Sequence, residues 1–334
     1  MVRTSGSHPG NGSSILPTGA NILKQSATMN SIIIVDLPEQ NGAITGCWYK
    51  GYPVHQGSTE DSLNYAAVWS NENGIVPDQE RLRRQHASFV QLLRNTGLDV
   101  HVLPFPTELN QLNNLHHDAV FVRDAGLMIG DMWIKGRFSA DRSPEADAHA
   151  QKIAKEFGKR VVEIPEDAFL EFGEVFYLRA ANETFYFGGL SRSNKQGHDF
   201  VRDIVKPDHY VLVQSEGYHL DTVFSTVLSK DNELIAVLTV ADMIEKESLQ
   251  AIEVLGIEVI AIDAEDSSGI GEDLGNYAVN GLCLPGKLLS CSRFTTPGVE
   301  ERLRDICVEH LVSPLADFRY AGGSYHCLTN EMYT

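Results

Sequence analysis

The stretch ADMIEKESLQAIEVLGIEVIAID, residues 241–263, carries the pattern that decides the fold. Apolar residues recur at helical spacing from Ile244 to Leu255, and Gly256 then supplies a stop signal. A short apolar strand, Glu258–Ile262, follows directly. The stretch therefore predicts a helix that is followed at once by a β-strand, which is typical of α/β proteins.

The same order of helix and strand occurs five times along the chain. The predicted helices are Pro77–Asn95, Ser143–Phe157, Lys195–Val205, Ala241–Leu255 and Thr296–His310. The strands that follow them are Asp99–Leu103, Arg160–Ile164, His209–Val213, Glu258–Ile262 and Leu311–Val312. Further strand-like runs come after the next loops, namely Ala119–Val122, Val175–Leu178, Thr184–Phe187, Val223–Leu228, Leu234–Leu238 and Lys287–Ser290.

These units recur at roughly every 50 residues, although the sequence identity between them is poor. A repeat of this length is typical of blades that surround an axis, so we expect a five-bladed α/β propeller with pseudo-five-fold repeats. Periodicity alone leaves one alternative open, which is a doubly wound α/β domain.

The composition of the chain excludes several classes of protein. Its 334 residues are 43% hydrophobic and 22% charged, which is the balance of a soluble globular protein. No apolar run reaches the roughly 18 residues that a membrane helix needs, so we expect no membrane partner. The net charge of −18 repels polyphosphate and favours small cationic molecules, so we expect no nucleic-acid partner either.

The first residues and the cysteines bear on domain organisation and location. Residues 1–30 are rich in Ser, Gly, Pro and Asn and contain no acidic residue, so we expect a disordered leader before a single domain over residues 31–334. The leader lacks the apolar segment of a secretory signal. Five scattered cysteines without a C-x-x-C pair indicate neither a disulfide scaffold nor a zinc site. We therefore expect a cytoplasmic protein.

Unusual polar residues gather in the loops after the predicted strands. The loops are His116–Asp124, Glu171–Glu174, Tyr218–Thr222 and Gly322–Cys327, whereas the fourth repeat supplies no obvious catalytic residue. Glu171 and His219 are about one repeat apart, and Cys327 follows His219 by about two repeats. In a propeller such loops converge at one end of the axis, which would bring carboxylates, an imidazole and a thiol together.

The chemistry of this set limits the substrate. A thiol and an imidazole in contact provide a thiolate nucleophile and a proton-transfer partner. Several carboxylates around them oppose attack on an anion but suit a planar guanidinium, whose N–H groups pair with carboxylates bidentately. Attack of cysteine on a guanidinium carbon, followed by water, would release an amine and leave a urea. The loops therefore predict a cysteine hydrolase of guanidino compounds.

Five segments resemble the guanidine-modifying enzymes of the pentein fold, which include dimethylarginine dimethylaminohydrolases and arginine deiminases. They lie in the family's order and are Phe121-Val-Arg123-Asp124, Glu171-Phe-Gly-Glu174, Gly188-Gly-Leu-Ser191-Arg192-Ser-Asn194, His219-Leu-Asp221-Thr-Val-Phe and Gly322-Gly-Ser-Tyr-His326-Cys327-Leu-Thr. Each segment is a weak signal alone, but the ordered set is specific.

The resemblance implies three catalytic residues. Cys327 would be the nucleophile that forms a covalent thiouronium intermediate. His219 would protonate the leaving amine and then activate water. Glu171 would be a further carboxylate beside them.

The resemblance also implies how the substrate is held. Asp124 and Asp221 would bind the guanidinium nitrogens, and Phe121 would pack on the substrate stem. Asp118 lies six residues before Asp124, as in the dimethylarginine enzymes, and is a further candidate for substrate binding.

Two arginines complete the implied site. Arg192, together with Arg137, would bind the substrate α-carboxylate. The resemblance implies no metal and no cofactor. The expected partner is a small guanidino substrate, and a homodimer is compatible with the sequence.

Two departures from the family's pattern leave the substrate open. The usual Glu-Gly-Gly-Asp is here Glu171-Phe-Gly-Glu174, and Arg123 precedes Asp124 as in arginine deiminases, where the dimethylarginine enzymes commonly have Glu. The first expectation is methylated or free arginine, giving citrulline and an amine or ammonia. The alternatives are an arginine deiminase or arginine dihydrolase, then an amidinotransferase or agmatine deiminase, and last a noncatalytic guanidine-binding protein.

Overall fold

The structure, a computed structural model, describes residues 29–38, 64–111, 114–138, 142–270 and 273–333. Nearly all of the expected leader, residues 1–30, lies outside these ranges, so that expectation stays a prediction. The described part of the chain is a mixed α/β fold of helices and short strands. None of its helices is long and apolar enough to cross a membrane.

Six α-helices and 19 strands form within the described residues. The helices are α1 (Tyr65–Glu72), α2 (Gln79–Asn95), α3 (Ser143–Phe157), α4 (Lys195–Val205), α5 (Lys246–Glu253) and α6 (Val299–Asp305). The strands are β1 (Ser31–Val35), β2 (Asp99–Leu103), β3 (Asn110–Gln111), β4 (Asn114–Leu115), β5 (Gly126–Ile129), β6 (Met132–Lys135), β7 (Arg160–Val162), β8 (Val175–Ala180), β9 (Glu183–Gly189), β10 (His209–Val213), β11 (Phe224–Leu228), β12 (Leu234–Thr239), β13 (Glu258–Ala261), β14 (Gly269–Ile270), β15 (Asp273–Leu274), β16 (Leu282–Leu284), β17 (Lys287–Ser290), β18 (Glu309–Val312) and β19 (Asn330–Tyr333).

Most of these strands build five three-stranded units with a shared topology. Two strands pair antiparallel, and the chain then passes through a helix to a third strand that lies parallel to the second. Four units follow one another as β5-β6-α3-β7, β8-β9-α4-β10, β11-β12-α5-β13 and β16-β17-α6-β18. The fifth, β19-β1-α2-β2, joins strands that are far apart in sequence, because β19 pairs with β1. A further pairing of β19 with β5 makes one six-stranded sheet of two units.

Helix α2 shows why the helices form where they do. Asp78 precedes it in an extended conformation, and its carboxylate accepts a hydrogen bond from Arg81 N at 2.7 Å. This contact satisfies an N–H group that has no partner within the helix. Leu82, Phe89 and Leu93 recur at helical spacing and form the buried face.

Three clusters of buried apolar side chains support the loops that follow the units. In the first, the rings of Phe89 and Tyr325 meet edge to face with 4.8 Å between their centroids. Tyr325 lies two residues before Cys327, so this packing holds the loop that carries Cys327 against α2. Phe172 lies in the third cluster, next in sequence to Glu171.

Two predicted helices coincide with α3 and α4, and α2 begins two residues later than predicted. The predicted helix Ala241–Leu255 is too long. Ile244 forms a β-bridge with Ser215, and α5 therefore begins only at Lys246.

The predicted helix Thr296–His310 is also too long. Gly298 adopts a left-handed φ of +85° before α6, and Glu309 and His310 belong to β18. All but one of the predicted strands agree with the observed strands to within three residues at each end.

The predicted strand Ala119–Val122 is wrong, because the segment closes hydrogen bonds within itself. Ala119 N donates to His116 O at 3.1 Å, and Phe121 N donates to Asp118 O at 2.8 Å, which makes a 3₁₀ turn. Sequence periodicity also misses α1 and nine of the strands in the described residues, namely β1, β3, β4, β5, β6, β14, β15, β16 and β19.

Gly126 on β5 provides a test of the packing. A Cβ at this position would lie 2.5 Å from Trp133 Cε2 and 2.6 Å from Ile134 O. Gly126→Ala should therefore lower the free energy of unfolding by about 1–3 kcal/mol, as overpacked cores do, in urea denaturation. In a Trp133→Leu background the same change should cost less, because the ring is gone. Equal costs in the two backgrounds would contradict this account.

Candidate active site

The loop after the third strand of each unit supplies a side chain to a buried cluster. These residues are Asp124 after β2, Glu171 after β7, His219 and Asp221 after β10, Asn280 after β13 and Cys327 after β18. All six are buried. The structure thus brings five of the predicted residues together and adds Asn280 from the fourth repeat, in which the sequence indicates no obvious catalytic residue.

The thiol of Cys327 is enclosed between a carboxylate and an amide. Its Sγ is 3.2 Å from Asp221 Oδ2 and 3.1 Å from Asn280 Nδ2. Burial, together with the charges of Asp221 and Asp124, raises the pKa of the Cys327 thiol well above its ordinary value. The thiol is therefore protonated in the free protein and donates to Asp221.

The imidazole of His219 lies between two carboxylates. Its Nε2 is 2.9 Å from Glu171 Oε2, and its Nδ1 is 3.6 Å from Asp124 Oδ1. Burial alone would lower the pKa of His219, but Asp124 and Glu171 outweigh it and raise the pKa to about 9. His219 is therefore an imidazolium at neutral pH, with a proton available to a leaving group.

Two buried arginines balance these carboxylates. Arg142 Nη1 donates to Asp124 Oδ2 at 2.8 Å, and the same guanidinium donates twice to Glu145 Oε2, at 3.0 and 2.8 Å. Arg192 Nη2 lies 3.4 Å from Glu171 Oε1. Burial would raise the pKa of Glu171, but Arg192 and His219 lower it to about 2. Glu171 is thus ionised and paired with the imidazolium.

Asp221 is shared between two donors. The Oδ2 that accepts from Cys327 also accepts from His326 Nδ1 at 2.8 Å. Burial, helped by the charges of Arg123 and His219, lowers the pKa of His326 well below its ordinary value, so its ring is neutral. Burial raises the pKa of Asp221 to about 7, which is within the physiological range.

Two buried carboxylate oxygens of the cluster, Asp124 Oδ1 and Asp221 Oδ1, accept no hydrogen bond within the described residues. His219 Nδ1, at 3.6 Å from Asp124 Oδ1, lies beyond hydrogen-bond distance. Buried polar atoms are nearly always paired, so these two acceptors are available to the N–H donors of a ligand. Gly173 keeps this region clear, because a Cβ there would collide with His219 Nδ1 and lie 2.8 Å from Asp124 Oδ1.

The structure accounts for the unusual segment Glu171–Glu174. Phe172 is buried in the apolar core. The next residue, Gly173, keeps the second glycine of the usual Glu-Gly-Gly-Asp. The Glu174 carboxylate accepts hydrogen bonds from Ser191 Oγ at 2.8 Å, from Leu220 N at 2.7 Å and from the main-chain N of Arg192. Through these hydrogen bonds, Glu174 therefore links the loops of the site to one another.

The other predicted binding residues differ in their placement. Phe121 is buried against Gly323, where a Cβ would collide with its ring. Asp118 is also buried, and its charge helps to raise the pKa of Arg142. Arg137 is only half-buried and lies 5.9 Å over the ring of Phe169, with no contact to the cluster in the described residues.

Arg192 lies within the cluster, but it is fully buried. Its guanidinium contacts Glu171 and lies 5.2 Å over the ring of Tyr218. The predicted contact with a substrate α-carboxylate stays a prediction.

Sequence reasoning misses three contributors to the site. Arg142 is a positioning cation, and no pattern separates it from a surface arginine. Asn280 is an uncharged residue, and only its spacing of 47 residues before Cys327, close to one repeat, is a signal. His326 is adjacent to the nucleophile, but its bond to Asp221 spans 105 residues.

A buried thiol, an imidazolium and carboxylates with open oxygens, set on repeated α/β units, define the class of guanidine-modifying cysteine enzymes. The sequence model of one family in this class, described as N,N dimethylarginine dimethylhydrolase, eukaryotic, matches residues 58–334. The chain belongs to that family. No curated protein matches the sequence significantly.

Solved structures show the same fold at low sequence identity. AgrE in complex with ornithine and NAD⁺ has a TM-score of 0.68 at 20% identity over 91% of this chain. The substrate-bound N-terminal domain of ArgZ, an arginine dihydrolase of cyanobacteria, has a TM-score of 0.65 at 20% identity over 91% of this chain. The DDAH of Pseudomonas aeruginosa with citrulline has a TM-score of 0.63 at 16% identity over 91% of this chain. This chain spans 39% of the AgrE chain, 98% of the ArgZ domain and 100% of the Pseudomonas protein.

Gly173 gives the sharpest test of this geometry. Gly173→Ala should displace His219 or Asp124, because the added methyl group has no room between them. Since misplacement by about 1 Å can cost roughly 100-fold in rate, we expect kcat to fall by about that factor. The measurement is steady-state hydrolysis, with the fold checked by near-ultraviolet circular dichroism. Gly126→Ala is the control, since it overpacks β5 without touching His219 or Asp124; full activity of Gly173→Ala would refute the assignment.

Proposed function

We propose that this protein hydrolyses the guanidinium group of methylated arginine to citrulline and a methylated amine. The observation that carries the proposal is the pair of open oxygens, Asp124 Oδ1 and Asp221 Oδ1, in a cluster that also holds the thiol and the imidazolium. A guanidinium supplies N–H donors in a planar fork that fits separate carboxylate oxygens. Its positive charge also compensates buried carboxylates, which are costly alone.

Binding of the cation prepares the nucleophile. A guanidinium beside Asp221 favours the ionised carboxylate, whose pKa burial otherwise raises to about 7. The same positive charge lowers the cost of forming a thiolate at Cys327, which carboxylates oppose in the free protein. The positive charge of the bound substrate thus favours the Cys327 thiolate that attacks it.

The first half of the reaction breaks the C–N bond. Cys327 Sγ loses its proton to Asp221 Oδ2, 3.2 Å away, and attacks the guanidinium carbon. The protonated His219 donates to the leaving amine, which departs and leaves a thiouronium on the sulfur. Glu171, hydrogen bonded to His219 Nε2, stabilises the imidazolium and orients the ring.

The second half restores the enzyme. Neutral His219 now accepts a proton from water, and the resulting hydroxide attacks the thiouronium carbon. The C–S bond breaks, and the hydroxyl proton of the adduct passes to the departed amine or to solvent, so that a neutral urea forms. The thiolate of Cys327 recovers the proton held by Asp221. Every proton that leaves one group in the first half is replaced in the second.

We also propose that the five units are the blades of an α/β propeller, with residues 31–334 as one catalytic domain. The shared strand order, the pairing of β19 with β1, and the supply of one loop per unit to the cluster support this arrangement.

The cysteines among the described residues, four in number, are free thiols, which is in keeping with the cytoplasm.

The pH dependence of kcat/KM should be bell-shaped. The rate should rise as pH increases through about 7, because Asp221 must be ionised to hold a cation. It should fall as pH passes about 9, because His219 must keep the proton that it gives to the amine. The check is kcat/KM from about pH 5 to about pH 11 at constant ionic strength. A rate that stays level on the alkaline side would rule out His219 as the acid.

A ureido assay with separate substrates tests the activity itself. Methylated arginines should yield citrulline, and Cys327→Ala should abolish the product because no other thiol of the described residues contacts Asp221. Cys307→Ala is the matched control, since Cys307 is an exposed thiol, and it should keep full activity. Turnover of arginine alone would indicate an arginine deiminase, and ornithine as the product would indicate an arginine dihydrolase. Turnover of agmatine would show that the substrate lacks the α-carboxylate. Activity that survives Cys327→Ala would refute the mechanism.

A further inference from the structure

Asn280 is the contribution of the fourth unit to the site, and it contacts the reacting sulfur. The side chain is fully buried. Its Nδ2 lies 3.1 Å from Cys327 Sγ and 2.8 Å from the main-chain O of Asp221. Its Oδ1 accepts from Ser324 N at 3.0 Å and from Cys327 N at 3.3 Å.

These partners fix the orientation of the amide. Two main-chain N–H groups, those of Ser324 and Cys327, face one end, so that end must be the oxygen. A main-chain carbonyl, that of Asp221, faces the other end, so that end must be the NH₂ group. Asn280 therefore presents an N–H donor to the sulfur and cannot present its oxygen without losing three hydrogen bonds.

The surroundings of the sulfur explain why such a donor is needed. Burial and the carboxylates of Asp221 and Asp124 all oppose a negative charge on Cys327. A lysine or arginine at this place would stabilise the thiolate, but its charge would repel the guanidinium. A neutral amide stabilises the anion without that repulsion.

We propose that Asn280 is a catalytic residue that stabilises the Cys327 thiolate by donating its amide N–H to the sulfur. This inference rests on the proposed function. The donor acts twice, once when the thiolate forms to attack the guanidinium carbon and again when the thiolate leaves the intermediate. Asn280 does not contact Asp124 Oδ1 or Asp221 Oδ1, so it acts on the chemical steps rather than on substrate binding.

The decisive variant is Asn280→Asp, which keeps the shape of the side chain. It retains an oxygen for Ser324 N and Cys327 N but turns a carboxylate oxygen toward the sulfur in place of the N–H. By analogy with the removal of one oxyanion donor, kcat should fall by about 100-fold or more, while KM changes by less than about threefold. If Asn280→Asp does not fold, Asn280→Ala tests the same donor without introducing a charge.

A second measurement separates catalysis from a purely structural role. The rate at which iodoacetamide alkylates Cys327, followed by mass spectrometry of its peptide, reports the fraction of thiolate at each pH. Loss of the N–H should move this profile to higher pH by about one unit or more. Asn276→Ala is the matched control, because it disturbs the same loop through Asp266 and leaves the sulfur contacts intact. Its alkylation profile should coincide with that of the wild type.

The outcomes distinguish this inference from the proposed function. An active wild type with unchanged kcat and alkylation profile in Asn280→Asp would overturn the role of Asn280. A raised KM with normal kcat would also overturn it, since it would show a role in binding. A wild type without activity on any guanidine would refute the proposed function, and the alkylation profile alone would then decide whether Asn280 stabilises the thiolate.

Discussion

The shared oxygen of Asp221 is the contact on which the rest of the site depends. Asp221 Oδ2 accepts from Cys327 and from His326, and Oδ1 of the same carboxylate stays open. A fully buried carboxylate is tolerated only where donors surround it, so the loops that supply those donors must hold fixed positions. His326 stacks on Phe176 with 4.3 Å between ring centroids, and its neighbour in sequence is the nucleophile. The packing of one ring therefore helps to set the geometry of the sulfur.

In the other carboxylates of the cluster, too, one oxygen contacts a fixed side chain and the other serves the chemistry. One oxygen of Asp124 is bound by Arg142, and one oxygen of Glu171 lies against Arg192. The second oxygen is left for the chemistry, because Asp124 Oδ1 is open and Glu171 Oε2 is hydrogen bonded to His219. Fixed cations thus stabilise the ionised carboxylates from one side without occupying the oxygens that a guanidinium or an imidazolium needs.

How much of this could be predicted from the sequence depends on the range of each interaction. Helices such as α3 and α4 follow from local periodicity, and the spacing of Glu171, His219 and Cys327 by whole repeats indicates that their loops meet. No local helix–strand pattern in the sequence indicates strand β1, because its partner β19 is almost 300 residues away. Asn280 and the supporting cation Arg142 are equally hidden, because their partners become neighbours only in the fold.

The electrostatics of the cluster also order the events of the proposed reaction. The substrate enters as a cation, and the thiouronium on Cys327 is still a cation, so Asp124 Oδ1 faces a positive charge in both. Asp221 holds the proton of the thiol while the intermediate persists. Attack of water converts the intermediate to a urea, which carries no charge at the reacting carbon and loses that attraction. The Asp124 carboxylate therefore retains the group until the second half-reaction is complete and releases it afterwards. Because the donor at the sulfur, Asn280, is neutral, it does not disturb this sequence of charges.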